Sequence, residues 1–327
     1  MRKHRVFATG SVWSILIYLL YSSMEDIKRT HYFFIDTSIH PSVRKKFKCH
    51  TFNTAWFDCH WWRIHQAFSI LEPLLYRLRW PYLMYSDFFG IDQGSAIHGI
   101  FGRNEYTLIE DGANDYIVSR EPVVRRHERL KQLIFGPING HDFGNNPLCK
   151  KIILTREPTN DYLRQRAEQV NLKELWKNAE QEKKEYILNA FSVTMQDLDK
   201  MKMCKVLLLT QPFSEDKACT EEEKIQLYRD IISSHGESNV IIKTHPREKT
   251  NYRAVFPQAI VFDKIVPMQL FGIIGITFKH VATICSTAAL AFLDDKSTTI
   301  DFKGTTKYPN IHKVYGKVEL EDILKKQ

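Results

Sequence analysis

The chain has 327 residues, 43% of them hydrophobic and 26% charged, with a formal net charge of +8 and a pI near 9.0. These proportions suit a globular protein with two cores and exclude a disordered chain, a collagen-like repeat and a polytopic membrane protein. The positive balance favours an anionic partner: a nucleotide, a phosphorylated glycolipid, a membrane surface or nucleic acid.

The basic start Met1-Arg-Lys-His-Arg5 leads into an apolar run, 6–21, with the outline of a signal peptide. Gly10 and Ser11 split that run into a strand-like piece and a helix, each too short to span a bilayer, and no small-x-small cleavage site follows. A strand, a glycine turn and a helix opening an α/β domain fit better. Gly10 and Ser11 then sit in the turn and become candidates for substrate contact. Further strands are expected at 32–36, 82–86 and 105–109, after a first at 5–9, with helical stretches such as 56–78 between them. That alternation predicts a parallel sheet covered by helices.

A polar, helix-rich region with many i,i+4 Glu/Lys pairs follows from about 155 to 203. The run Lys205-Val-Leu-Leu-Leu-Thr210 then opens a second α/β unit, with strands at 240–244, 259–262, 280–284 and 298–302. Its helices are expected at 221–234, 268–274 and 287–293. The chain therefore reads as α/β throughout. A Rossmann-like domain over 1–155, a helical connection over 156–203 and a second Rossmann-like domain over 204–327 would face a central cleft.

Ligands of such folds lie outside the carboxyl ends of the strands, so the strand-to-helix turns matter most. Leu108-Ile109-Glu110-Asp111-Gly112 puts acids straight after an apolar strand, placed for a general base, although a turn or cap aspartate is equally plain chemistry. Val240-Ile-Ile-Lys243-Thr244-His245-Pro246-Arg247-Glu248 ends a buried strand in His-Pro-Arg. There His245 could protonate or hydrogen-bond a phosphate oxygen, with Lys243 and Arg247 adding charge. In Thr283-Ile-Cys285-Ser286-Thr287-Ala288 two hydroxyls precede a helix start, which is a phosphate site or a simple N-cap.

Other features point to no chemistry. The six cysteines form no CxxC and read as free thiols of a reducing compartment. Cys59-His60, near His50 and His65, lacks a second cysteine at zinc spacing. The basic stretch 120–131 fits a solvated helical face, and the 12% aromatic content fits large cores. Asp197-Leu198-Asp199, the one Asp-x-Asp triplet, lies in a polar helical stretch and is expected to face solvent rather than a metal.

An acidic-Gly turn in the first half, then His-Pro and Ser-Thr about forty residues apart in the second, resembles bacterial sialyltransferases. The chain is most similar to the lipooligosaccharide sialyltransferase family, glycosyltransferase family 52. Thr210-Gln211-Pro212 with Ser214-Glu215-Asp216 is similar to that family's opening of the second domain, so the resemblance runs over roughly 5–305.

The resemblance implies a two-domain GT-B fold and an inverting transfer from CMP-sialic acid without metal or other cofactor. The acceptor would be a terminal sugar, galactose first, of a lipooligosaccharide or capsular glycan. Asp111 then matches the general base, flanked by Glu110 and Gly112. His245 matches the histidine assisting departure of CMP, with Lys243, Pro246 and Arg247 around it, and Ser286 and Thr287 would hold the phosphate. A carboxylate early in the second domain also matches the base, with Asp216 or Glu215 as the candidate. Where the family often has Pro-x-Glu for the ribose, this chain has Pro267-Met268-Gln269. Gln269 binds a hydroxyl less strongly than a carboxylate does, so a GT-B enzyme using another nucleotide sugar, such as a glucosyl donor, is the alternative.

The implied setting is the cytoplasm at the inner membrane face, with the basic surface against anionic lipid. Nucleic acid is not expected as a partner, because no aromatic-basic strand motif is present. A homodimer is left open.

Overall fold

The structure, a computed structural model, describes residues 4–35, 38–52, 75–93, 95–112, 129–130, 133, 143–158, 161–293 and 295–324. Most of the helix expected at 56–78, most of the basic stretch 120–131, and the pair Cys59-His60 lie outside the described residues. The chain divides into two compact units, Met1–Ala190 and Phe191–Gln327.

In the first unit, β1 (His4–Thr9) carries the buried run Val6-Phe7-Ala8, apolar on both faces because helices cover both. Ser11 caps the following helix α1 (Val12–Tyr21), its hydroxyl accepting the N–H groups of Trp13 and Ser14. Every residue of α1 from Ser14 to Leu20 is buried. The apolar N-terminal run is thus a strand, a turn and a core helix. A Cβ at Gly10 would lie 2.9 Å from Ile35 Cδ1, so a larger residue in this turn would push the end of that side chain aside.

The other strands are β2 (Thr30–Ile35), β3 (Cys49–Phe52), β4 (Ser86–Gly90), β5 (Tyr106–Ile109), β6 (Cys149–Leu154) and β7 (Ala167–Gln169). All pair in parallel, in the order β3-β2-β1-β4-β5-β6-β7, so strand order reverses between β1 and β4. At that reversal Gly90 has φ +140, and a Cβ would fall 1.9 Å from the Ala8 carbonyl oxygen.

The sequence placed a strand at 82–86, but the strand is Ser86–Gly90. Pro81 starts a 3-10 turn, Pro81–Met84, which the Ser86 hydroxyl closes on the Tyr82 carbonyl at 2.7 Å. The expected helical connection is divided. It contains β7, while α2 (Leu172–Asn178) and α3 (Gln181–Ala190) pack on α1 of the first unit.

The second unit begins with α4 (Met195–Met203), β8 (Val206–Leu209), α5 (Glu221–Ser233) and β9 (Val240–Lys243). Then come β10 (Ile260–Phe262), α6 (Gln269–Ile273), β11 (His280–Thr283), β12 (Thr299–Phe302) and α7 (Pro309–Tyr315). The sheet is parallel in the order β10-β9-β8-β11-β12, with its reversal between β8 and β11. The helix expected at 287–293 is a six-residue 3-10 helix, Thr287–Phe292. Among the described residues no helix is long and apolar enough to cross a membrane, and the cysteines are free thiols.

Candidate active site

The residues singled out by sequence fall into two groups, each at the carboxyl end of one sheet. In the first unit they surround the start of α1. Asp111 follows β5, is half-buried, and lies beside the hydroxyls of Ser11, which donates to it, and Ser14. Burial raises its carboxyl above the usual aspartate range. The two hydroxyls pull the other way, and neighbouring Glu110 adds to the rise. The positive end of α1 and the Ser11 hydroxyl therefore hold a carboxylate that keeps some affinity for a proton.

Glu110 turns into the fold instead. It accepts from Trp13 Nε1 at 3.0 Å and from the Thr155 N–H and hydroxyl at 2.7 and 2.8 Å, while its carbonyl accepts from the Ser14 hydroxyl at 2.7 Å. Gly112 follows Asp111 in the same turn, and Gly10 lies beside Ser11 at the end of β1.

In the second unit the turns after β8, β9 and β11 converge on the sheet's reversal point. The Thr283 hydroxyl donates to the Leu209 carbonyl at 3.0 Å and accepts the Ser286 N–H at 3.0 Å, which fixes the Ser-Thr turn against β8. Ser286 is buried, caps no backbone N–H with its side chain, and precedes exposed Thr287. The short 3-10 geometry gives this turn little helix dipole, so the two hydroxyls are its main polar offering.

His245 leaves β9. Its backbone N–H donates to Glu248 Oε2 at 2.7 Å, and its Nδ1 accepts the Arg247 N–H at 3.2 Å. That second bond keeps Nδ1 unprotonated and leaves the proton on Nε2. Burial, then the charges of Arg247 and Lys243, lower the imidazole pKa, so His245 is a neutral N–H donor at neutral pH. Lys243 is buried at the end of β9, with its ammonium on the Thr244 carbonyl at 2.7 Å and its pKa lowered to about 8 by burial. Pro246 and Arg247 are exposed beyond the turn, and Gln269 opens α6 half-buried.

Asp216 is engaged by Arg247 through both oxygens, at 2.5 and 2.8 Å, and by the Tyr315 hydroxyl of α7 at 2.6 Å. The Arg247 bonds hold its carboxyl below the ordinary aspartate range. Burial pushes Glu215 up, but the Lys249 N–H and the fully buried Lys224 outweigh it, and its pKa is also lowered. Asp197 does not face solvent freely: it closes the capping box of α4 with Thr194 and pairs with Lys264. Among the described residues no group of three or more His, Cys, Asp or Glu is arranged to hold a metal.

Sequence reasoning missed the support beneath His245. Besides the His245 N–H, Glu248 accepts the Thr210 hydroxyl on Oε2 and the Tyr252 hydroxyl on Oε1 at 2.6 Å, and burial raises its pKa. Glu248 stood in the quoted motif, but nothing in its spacing shows that β8 delivers Thr210 to it.

A family model described as Glycosyltransferase family 52 matches residues 93–305. The chain belongs to this family. An uncharacterized protein of Haemophilus influenzae is 35% identical over 217 residues, covering 66% of this chain and 67% of that protein. Among solved structures, the 2,6-sialyltransferase of Photobacterium sp. JT-ISH-224, in complex with CMP and lactose, superposes with a TM-score of 0.56 at 11% identity over 91% of this chain and 71% of that one. The GT-B domain of the sialyltransferase from Photobacterium damselae superposes with a TM-score of 0.54 at 10% identity, covering 91% and 90%. At such identities the likeness speaks for the fold, which is GT-B. The protein is a family 52 glycosyltransferase of that fold.

Proposed function

We propose that the protein is an inverting, metal-independent sialyltransferase. It moves sialic acid from CMP-sialic acid to a terminal sugar, galactose first, of a bacterial lipooligosaccharide or capsular glycan, at the cytoplasmic face of the inner membrane. The observation that carries the reading is the turn after β9. A neutral His245, its proton directed to Nε2 by the Arg247 N–H, belongs to the same sheet end as the Ser286 and Thr287 hydroxyls. Such donors suit the single phosphate of a CMP leaving group.

In the reaction the acceptor hydroxyl oxygen attacks the anomeric carbon, and Asp111 takes its proton. The bond from that carbon to the phosphate oxygen breaks, the electron pair stays on the phosphate, and His245, Ser286 and Thr287 receive the charge by hydrogen bonding. Asp111 suits the base because burial raises its proton affinity, whereas Asp216 has both oxygens occupied by Arg247. Gln269 in place of a carboxylate favours the second reading, transfer from another nucleotide sugar such as a glucosyl donor.

The test is CMP release from CMP-sialic acid with lactose as acceptor and EDTA present. Acceptor-dependent release supports the reading, while release from UDP-sugars alone favours the second. Asp111→Asn should lower kcat on the order of a hundredfold. If Asp216→Asn does so instead, with Asp111→Asn active, the base is Asp216. His245→Ala should lose most turnover with the fold intact.

A further inference from the structure

Tyr315, the last residue of α7, stands 99 residues after Asp216 in sequence and donates its hydroxyl to Asp216 Oδ2 at 2.6 Å. Local geometry aims it there. Tyr315 follows Ile311 by four residues, so the two share the face of α7 that meets the core. Ile311 is buried on that face, and the Tyr315 ring packs edge-on against buried Phe213 at 5.2 Å. Gly316 then takes φ +71 and ends the helix. Its carbonyl accepts the hydroxyl of buried Thr305 at 2.7 Å, and the Val318 N–H donates to that same hydroxyl oxygen at 2.9 Å. The end of α7 is thereby pinned to the turn after β12, and the phenol with it. Burial, then the bond to Asp216, raises the phenol pKa, so the hydroxyl keeps its proton and stays a donor.

Asp216 is held from both sides. Its backbone N–H donates to the Pro212 carbonyl at 2.8 Å, in a turn that the Ala218 N–H closes on the Phe213 carbonyl at 2.8 Å. Its carboxylate takes both terminal nitrogens of Arg247. The Arg247 side chain is 60% exposed, and in so open a pair the ordering of a long arginine offsets much of the Coulomb attraction. A carboxylate already fixed by its backbone and by a phenol lowers that cost, so the two-pronged geometry persists. Arg247 matters because its backbone N–H is the donor on His245 Nδ1. From α7 to the imidazole the contacts run unbroken through Tyr315, Asp216, Arg247 and His245.

We propose that Tyr315 is a positioning residue of the second unit's site. Through Asp216 and Arg247 it holds His245 in the tautomer that donates from Nε2. Its effect on turnover rests on the reading of His245 as the donor to the leaving group. Its effect on the tautomer does not, nor does it depend on which carboxylate takes the acceptor's proton.

The test reads the imidazole directly, by NMR of the full chain isotope-labelled in its histidine nitrogens, at a pH above the imidazole titration. His245 should show a protonated Nε2 and an unprotonated Nδ1, its signals assigned as those missing from His245→Gln. Tyr315→Phe keeps the ring on Phe213 and removes only the hydroxyl. It should move both nitrogen shifts toward their mean and lower kcat roughly tenfold, with the donor KM changed less and Tm unchanged. Asp216→Asn, which breaks the two-pronged pair, should move the same two shifts.

The proposal fails if the wild type already averages the two tautomers, or if both variants keep the wild-type spectrum. It fails equally if Tyr315→Phe lowers Tm alone, which would make α7 a packing element. The spectrum needs no donor. A wild type with the expected tautomer, shifted by Tyr315→Phe but releasing nothing from CMP-sialic acid, would uphold the positioning and overturn the transfer reading.

Discussion

His245 owes part of its orientation to Glu248, which lies beneath its turn. Its backbone N–H rests on Glu248, which also holds the Thr210 and Tyr252 hydroxyls. Glu248→Gln keeps the volume but replaces one acceptor oxygen by an NH2 that can only donate, so one of the three donors loses its partner. We expect kcat to fall roughly tenfold with a smaller change in the donor KM, because the loss is one of positioning. A fall in Tm with unchanged kcat would reduce Glu248 to a scaffold residue. Ser11→Ala offers a second test. It removes a hydrogen bond to charged Asp111, so the carboxyl pKa rises further and the acid limb of kcat/KM moves to higher pH. The wild-type limb should already lie above the ordinary aspartate value of about 3.9. The same change uncaps α1 and should cost about 1 kcal/mol of stability. The places of Asp111, His245 and Ser286 were legible in the sequence, because each follows an apolar run in a short turn. Glu248, Thr210 and Tyr315 were not, because their roles depend on chains crossing in space. Glu110 shows the opposite difficulty: it shares the turn of Asp111, yet its side chain points to Trp13 and Thr155.

At the level of elements, α5 acts as a clamp. Its Lys224 is wholly buried and paired with Glu215 at 2.9 Å and Glu221 at 3.0 Å. Glu215 also receives the Lys249 N–H, and Glu221 the Thr250 hydroxyl, so one ammonium ties the turn after β8 to the turn after β9. Lys224→Met should leave two carboxylates uncompensated and cost about 3 kcal/mol, less than a fully buried pair because both acids keep some contact with water. Denaturant unfolding measures this, and a loss under 1 kcal/mol would mean that water replaces the lysine. Strands β8 to β12 were visible as apolar runs of four or more residues or by their β-branched content. β7 was invisible: Ala167-Glu-Gln169 has no apolar pattern and is a strand only because β6 aligns it, Ile152 opposite Ala167. The misplaced fourth strand has a local cause, since Pro81-Tyr-Leu-Met84 is as apolar as the strand after it and Pro81 bends it into a turn.

For the whole molecule, binding that favours the folded second unit should appear as thermal stability. CMP at about a hundred times its Kd should add roughly 2.7 kcal/mol, a rise of several degrees in Tm if unfolding is two-state. A larger rise with UDP would instead favour the alternative donor. The two-unit α/β plan was legible from the alternation of runs, whereas the unit boundary at Ala190 was not. The helices on either side of it have similar polar patterns and differ only in what they pack on. One feature of the first sheet also sets a distance. β1 is six residues long, and a strand of that length spans roughly 20 Å. The turn of Ser11 and Asp111 is therefore held about a strand's length from the turn that precedes β4, and a change at either end reaches the other only along the strands between them.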